Sequence, residues 1–184
     1  MGKKRCGWVN TEQIYIDYHD HEWGKPCHDD QKLFEMLLLE GFQAGLSWIT
    51  ILRKRESYRE ALDNFDYTIC ANYNEEKIQS LLENEKLVRN RLKMYSIINN
   101  AKAFLEVQKE YGSFDKYIWS FVNGKTIKSN FTNYKDAPTT TPESDAMSKA
   151  LKKRGFKFIG STICLAYMQA IGMIDDHSTE CFCY

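Results

Sequence analysis

The stretch KLFEMLLLEGFQAGLSWITIL, residues 32–52, decides the fold. Apolar residues recur in it at helical spacing, and the pattern runs from Asp29 to about Leu62 with interruptions at Gly41 and Gly45. This reads as two or three consecutive helices. The first, roughly Gln31 to Glu40, is apolar nearly all round and is expected to be buried.

Downstream, Asn74 can cap a short helix through Glu83, and a longer pattern runs from about Asn90 to Tyr111 with Met94, Ile97, Ile98, Ala101 and Leu105 on one face. Gly112 ends it. Residues 114–122 read as another short helix and 123–140 as a long polar surface loop. Thr141 before Pro142 is a cap and first-turn pair opening a helix through Arg154, stopped by Gly155. A last helix covers about Gly160 to Ile171. No stretch alternates with a period of two for long, so no sheet is expected and the fold class is all-α. The first ~30 residues lack periodicity, yet they hold Trp8, Tyr15, Tyr18, His19, His21 and Trp23, an aromatic density foreign to disordered tails.

The 184 residues suffice for one globular unit, and 43% hydrophobic with 27% charged residues is an ordinary globular composition. Lys+Arg and Asp+Glu are equal at 25 each, so summed charge offers no attraction for a polyanion or an acidic membrane. Polyanion binding must come from local clusters: Arg53 to Arg55; Arg89, Arg91 and Lys93; and Lys149, Lys152, Lys153, Arg154 and Lys157. Each alone is more often a solvated helix face. No signal peptide or membrane span is visible, so a cytoplasmic protein is expected. The six cysteines then suggest metal ligation or burial rather than disulfides. Cys70 and Cys164 lie among apolar residues and are expected in the core.

Glu40 is the most informative residue, because Leu33, Met36 and Leu37 share its helical face. A carboxylate on an apolar stripe is costly without partners or a task. It either reaches solvent at a helix end before Gly41, or it serves a planar, electron-poor ligand together with stacking aromatic rings. The segment 75–104, EEKIQSLLENEKLVRNRLKMYSIINNAKAF, is a helix, a short basic turn and a second helix. Such a hairpin can aim backbone amides and cations at a phosphate, or it is an ordinary helix pair with an exposed basic corner. His177 and Cys181 are spaced to face one ion, and zinc favours such ligands. For the other half, Cys6 and His19 compete with His21, His28, Cys27 and Cys183. Frayed chain ends would need such a tether.

RCGWV at 5–9, YHDHEWG at 18–24, residues 32–52, WSFVNG at 119–124, SDAMSKALKKRGFKFIGSTIC at 144–164 and the tail DDH at 175–177 with Cys181 carry a likeness that runs nearly end to end. In these stretches the chain resembles the bacterial DNA-3-methyladenine glycosylase I family of the helix-hairpin-helix glycosylase superfamily. The resemblance implies a helix-hairpin-helix DNA glycosylase fold with a zinc-clamped N- and C-terminal region. It implies a single unit over 1–184, with a hairpin lobe at about 66–122 intergrown with a zinc-tethered lobe formed by 1–65 and 140–184.

It further implies that Cys6, His19, His177 and Cys181 bind a structural zinc ion and that Glu40 reads the base. Trp8, Tyr15, Tyr18 and Trp48 become the pocket aromatics, Tyr18 hydrogen-bonding the base and Trp48 stacking on it. Gly45 and Leu46 match a wedge inserted where the base leaves the helix, and Arg91 and Lys93 would face DNA. In the family the hairpin turn carries a glycine where this chain has Leu92, and the superfamily's usual catalytic aspartate has no equivalent. The implied reaction is hydrolysis of the N-glycosidic bond of 3-methyladenine in double-stranded alkylated DNA by a monomer, releasing the free base. No lysine sits in a nucleophile context, so no strand-cleaving lyase step is expected. The rival readings are a zinc-stabilised DNA-binding module without activity and a hydrolytic zinc enzyme. The latter needs an open coordination position, which four Cys/His ligands do not leave.

Overall fold

The computed structural model describes residues 2–184, among which nine α-helices and only two very short strands occur. The helices are α1 (Gln13–His21), α2 (Asp30–Gln43), α3 (Trp48–Ala61), α4 (Tyr67–Cys70), α5 (Glu75–Glu83), α6 (Arg91–Tyr111), α7 (Phe114–Trp119), α8 (Pro142–Lys153) and α9 (Ser161–Ala170).

Helix α2 is the axis of the molecule. Ten consecutive residues, Leu33 to Phe42, are buried, as expected of a segment apolar on every face. It packs against α3, α6, α7 and α9, so its side chains are enclosed on all sides. Asp29 caps its start by accepting from the Lys32 amide at 2.9 Å. Gly41 does not interrupt the helix. A Cβ there would come within 3.3 Å of Phe158, so glycine lets the α8–α9 loop press on the helix. The break comes at Gly45, whose φ of +80° is a left-handed conformation that disfavours side chains.

The caps read from sequence form as expected. Asn74 accepts from the Lys77 amide, Asn90 from the Lys93 amide, and Thr141 forms a capping box with Ser144. Gly112 closes α6 at φ +86°. Three features differ from expectation. Residues 13–21 form a helix that no apolar stripe announces, since only Tyr18 and His19 on it are buried. Residues 127–128 pair in parallel with 174–175, so the segment expected as a loop is fastened to the C-terminal tail. The turn between α5 and α6 lies at 84–90, and Leu92 is in the first turn of α6, 72% exposed. No residue of 84–90 takes a positive φ, so this hairpin needs no glycine.

Candidate functional site

Beside the C-terminal end of α2, a cavity of roughly 290 Å³ opens, close to the lower bound of about 300 Å³ typical of small-molecule sites. Trp8, Tyr15, Tyr18 and Trp48 line it together with Glu40, the five residues the sequence put in one pocket. They come from four settings: Trp8 from the N-terminal segment, Tyr15 and Tyr18 from α1, Glu40 from α2, and Trp48 from the start of α3. The Tyr18 and Trp48 ring centroids are 5.3 Å apart, and Trp8 stands 5.1 Å from Tyr15 and 4.9 Å from Trp23.

Glu40 is 3% exposed, so it does not reach solvent at the helix end. Among the described residues, its Oε2 has no hydrogen-bond partner, nor does the Trp48 indole Nε1. A buried polar atom left unpaired costs on the order of 1–3 kcal/mol, a cost that a ligand hydrogen-bonding to Glu40 removes there. Burial pushes the Glu40 carboxyl up to about 8, and the nearby carboxyl together with burial raises both Tyr15 and Tyr18. Burial thus favours the protonated form of Glu40 at neutral pH.

Sequence reasoning missed Trp23, Gln43, Phe131, Tyr134, Gln169 and Asp176 on the same walls. Phe131 and Tyr134 belong to the long loop, where no periodicity marks a residue as inward-facing. Asp176 lies in the DDH tail and is held by Ser129 Oγ and Gln169 Nε2, both donating to its carboxylate.

A second cluster adjoins the pocket through α1. Ligand atoms of His19, His177, Cys181 and Cys183 all lie within 4.8 Å of one another, a group able to hold a metal ion. His19 Nδ1 is 2.8 Å from Asp20 Oδ1 and His177 Nδ1 is 2.6 Å from Asp175 Oδ1, which leaves both Nε2 atoms for the cluster. Such carboxylate partners orient metal-binding imidazoles. Arg5 in turn grips Asp20 through two hydrogen bonds of 2.8 and 2.7 Å. His177 Nε2 is buried with no hydrogen-bond partner among the described residues, and His19 Nε2 lies 3.4 Å from Cys181 Sγ. Three of the four expected ligands therefore meet. Cys6 stands outside the group and Cys183 inside it. The Cys6 sulfur is turned to Ser178, accepting from its amide at 3.4 Å, while its own amide lies 3.5 Å from His19 Nε2. Burial raises the Cys6 thiol to about 11.

The expected DNA-facing residues separate. Gly45 and Leu46 form the exposed turn between α2 and α3, with Leu46 40% exposed. Arg91 is exposed at the start of α6, its guanidinium 3.2 Å from the Tyr95 hydroxyl. Lys93 corrects the expectation of a solvent-facing cation. It is 5% exposed, and its Nζ donates to the carbonyls of Phe42 at 2.8 Å and Ala44 at 2.6 Å. The inward face of α6 takes it there, three residues past the Asn90 cap. The Arg53–Arg55 cluster is also spoken for, since Arg53 pairs with Glu12, Arg55 with Glu22 and Glu35, and Lys54 with the Lys86 carbonyl. Lys149, Lys152, Lys153 and Lys157 are exposed.

Comparison with known proteins places this geometry. Residues 8–184 match the methyladenine glycosylase family model. The chain is 53% identical over 179 residues to a DNA-3-methyladenine glycosylase of Haemophilus influenzae, covering 97% of each. It is similar to a crystal structure of 3-methyladenine DNA glycosylase I with a TM-score of 0.96 and 50% identity, covering 98% of this chain and 100% of that one. It is also similar to a variant of 3-methyladenine DNA glycosylase I in complex with 3-methyladenine, with a TM-score of 0.94, 36% identity and coverage of 97% and 96%.

Proposed function

The chain belongs to the methyladenine glycosylase family, and on that premise we propose how its pocket works as a base-excision-repair enzyme. It is a DNA-3-methyladenine glycosylase, hydrolysing the N-glycosidic bond of the alkylated base. The observation that carries the proposal is the unpartnered Glu40 carboxyl beside the unpartnered Trp48 indole, buried in an aromatic cavity sized for one base.

Methylation at N3 leaves the adenine of the nucleotide cationic, so the base departs without added protonation. Catalysis then reduces to extracting and holding it. The lesion swings out of a duplex, its face stacks on Trp48, and the Tyr18 hydroxyl meets its edge. Glu40 gives up its proton to solvent water as the base arrives and accepts a hydrogen bond from the base's donor edge, its charge balancing the cation. Water completes the hydrolysis. No lysine lines the cavity, which supports a monofunctional glycosylase without lyase chemistry.

Leu46, exposed on its left-handed turn, is the wedge that fills the vacated stack. The α5–α6 hairpin, with Arg91 and the amides at the start of α6, meets the phosphate backbone. The lobe of 1–65 with 140–184 and the loop at 131–137 line the pocket, and the hairpin lobe at about 66–122 stands apart from it for the DNA backbone. The enzyme works as a monomer in the cytoplasm, where the six unpaired cysteines stay reduced.

His19, His177 and Cys181 would hold a structural zinc ion together with a second thiolate, for which the family resemblance names Cys6 and the clustered ligand atoms offer Cys183. The orphaned His177 Nε2 and the carboxylate-backed imidazoles fit that ion. When bound, zinc supplies a closed cross-link between the chain ends and no catalysis. The test is base release from alkylated duplex DNA with identification of the product. Free 3-methyladenine is expected, and retention of every lesion in the DNA would refute the reading.

A further inference from the structure

Lys93 lies in the first turn of α6, where the hairpin presents amides and Arg91, yet its own side chain turns inward. The carbonyls that hold its ammonium, those of Phe42 and Ala44, belong to the C-terminal end of α2. The last carbonyls of a helix lack intrahelical donors and carry the negative end of its dipole, so a cation is favoured there. Glu40 stands two residues before Phe42, and Gly45 and Leu46 follow Ala44. One side chain therefore joins the start of α6 to the segment bearing both the base-reading carboxyl and the exposed leucine. Lys93 does not line the cavity, so it does not touch the base.

We propose that Lys93 is a positioning residue. It holds the turn at 44–47 in register with the hairpin, so that seating α6 on the backbone drives Leu46 into the duplex as the base leaves. This rests on the glycosylase reading above. A Cβ at Gly45 would meet open space and its backbone is left-handed, so on the α6 side the turn is held through the lysine, while among the described residues Leu46 and Ser47 hydrogen-bond only to Gln43 and Thr50 next to them in the chain.

The consequence is specific to paired DNA, because a single strand has no stack for Leu46 to enter. Single-turnover release of 3-methyladenine is measured from a duplex and from the same strand unpaired, with wild type, Lys93→Met, Lys93→Gln and Lys93→Arg. The methionine and glutamine variants are expected to lose about tenfold or more on the duplex, the scale that small misplacements cost. They should keep the single-strand rate and the affinity for free 3-methyladenine, and arginine should recover most of the duplex rate. Equal loss on both substrates, or no loss on the duplex, overturns the proposal. If no variant folds, hydrogen exchange of wild type decides: an undamaged duplex should slow the amides of 45–47 together with the start of α6, and protection of α6 alone overturns it. Wild type releasing no base from either substrate would instead remove the glycosylase reading itself.

Discussion

Tyr18 and His19 are adjacent in α1, both buried, and they face different sites: Tyr18 lies against Trp48 in the base pocket, His19 against Cys181 in the His/Cys cluster. One peptide unit thus separates the two. Whatever fixes His19 fixes Tyr18, because a helix turns its side chains as a rigid set. The tail joins the same arrangement, with the Phe182 amide donating to the Lys4 carbonyl at 2.9 Å.

Metal removal should therefore reach the pocket. Purified protein is expected to contain about one zinc per chain, and stripping it should lower the melting temperature, since an ion bound only to the native state stabilises it. Affinity for 3-methyladenine should fall in step. Metal analysis returning none, or chelation without effect on either quantity, would contradict the clamp.

Gly24 tests the clamp from the protein side. Its φ is +72°, and a Cβ would lie 2.7 Å from the His177 ring. Gly24→Ala should cost about 1–3 kcal/mol through backbone strain and displace His177 from the cluster. Metal content and denaturant melts of the variant measure both effects, and a variant that retains wild-type metal and stability would show that His177 can give way.

Glu40 should make the protein less stable as pH rises. The unfolded carboxyl ionises near 4.5, but burial holds the folded one protonated to about 8. Between these values the folded state binds more protons, so stability falls with pH, by an amount on the order of a few kcal/mol at most. Glu40→Gln removes the titration. Its stability between pH 5 and 8 should be flatter than that of wild type and higher at pH 8. A parallel pair of pH–stability curves would show that Glu40 is already ionised in the folded protein.

Arg91→Ala should weaken duplex binding and lower the slope of log affinity against log salt by about one, as expected for one lost phosphate contact. Lys93 variants should leave that slope unchanged, because the ammonium is buried on carbonyls. An unaltered slope for Arg91→Ala would move the phosphate contact elsewhere, with the exposed lysines of α8 next in line.

The parts of this molecule legible in sequence are those governed by local rules. Asn74, Asn90, Thr141 and Gly112 cap their helices as their side chains and backbone demand, and the apolar wrap of α2 announced its burial. Glu40 was conspicuous for the same reason, a charge where periodicity called for a hydrocarbon. The helix α1 was not legible, since its buried residues, Tyr18 and His19, are held by long-range partners rather than by a stripe. Lys93 was misjudged because basic neighbours suggest a solvated face, whereas its environment is set by the end of α2, some fifty residues away in sequence. The pocket residues Phe131 and Tyr134 sit in a loop with no periodic signal. Cys6 and Cys183 could not be told apart by spacing, because the ligands come from opposite chain ends.

The most direct test of the account is release of free 3-methyladenine from alkylated duplex DNA by wild type and by Glu40→Gln side by side. Losing a hydrogen bond to a charged group, worth about 1.5–3 kcal/mol, should slow the variant by roughly tenfold or more while its fold and metal content stay intact. Wild-type release with an equally fast Glu40→Gln variant would contradict the role of the buried carboxyl on which the account turns.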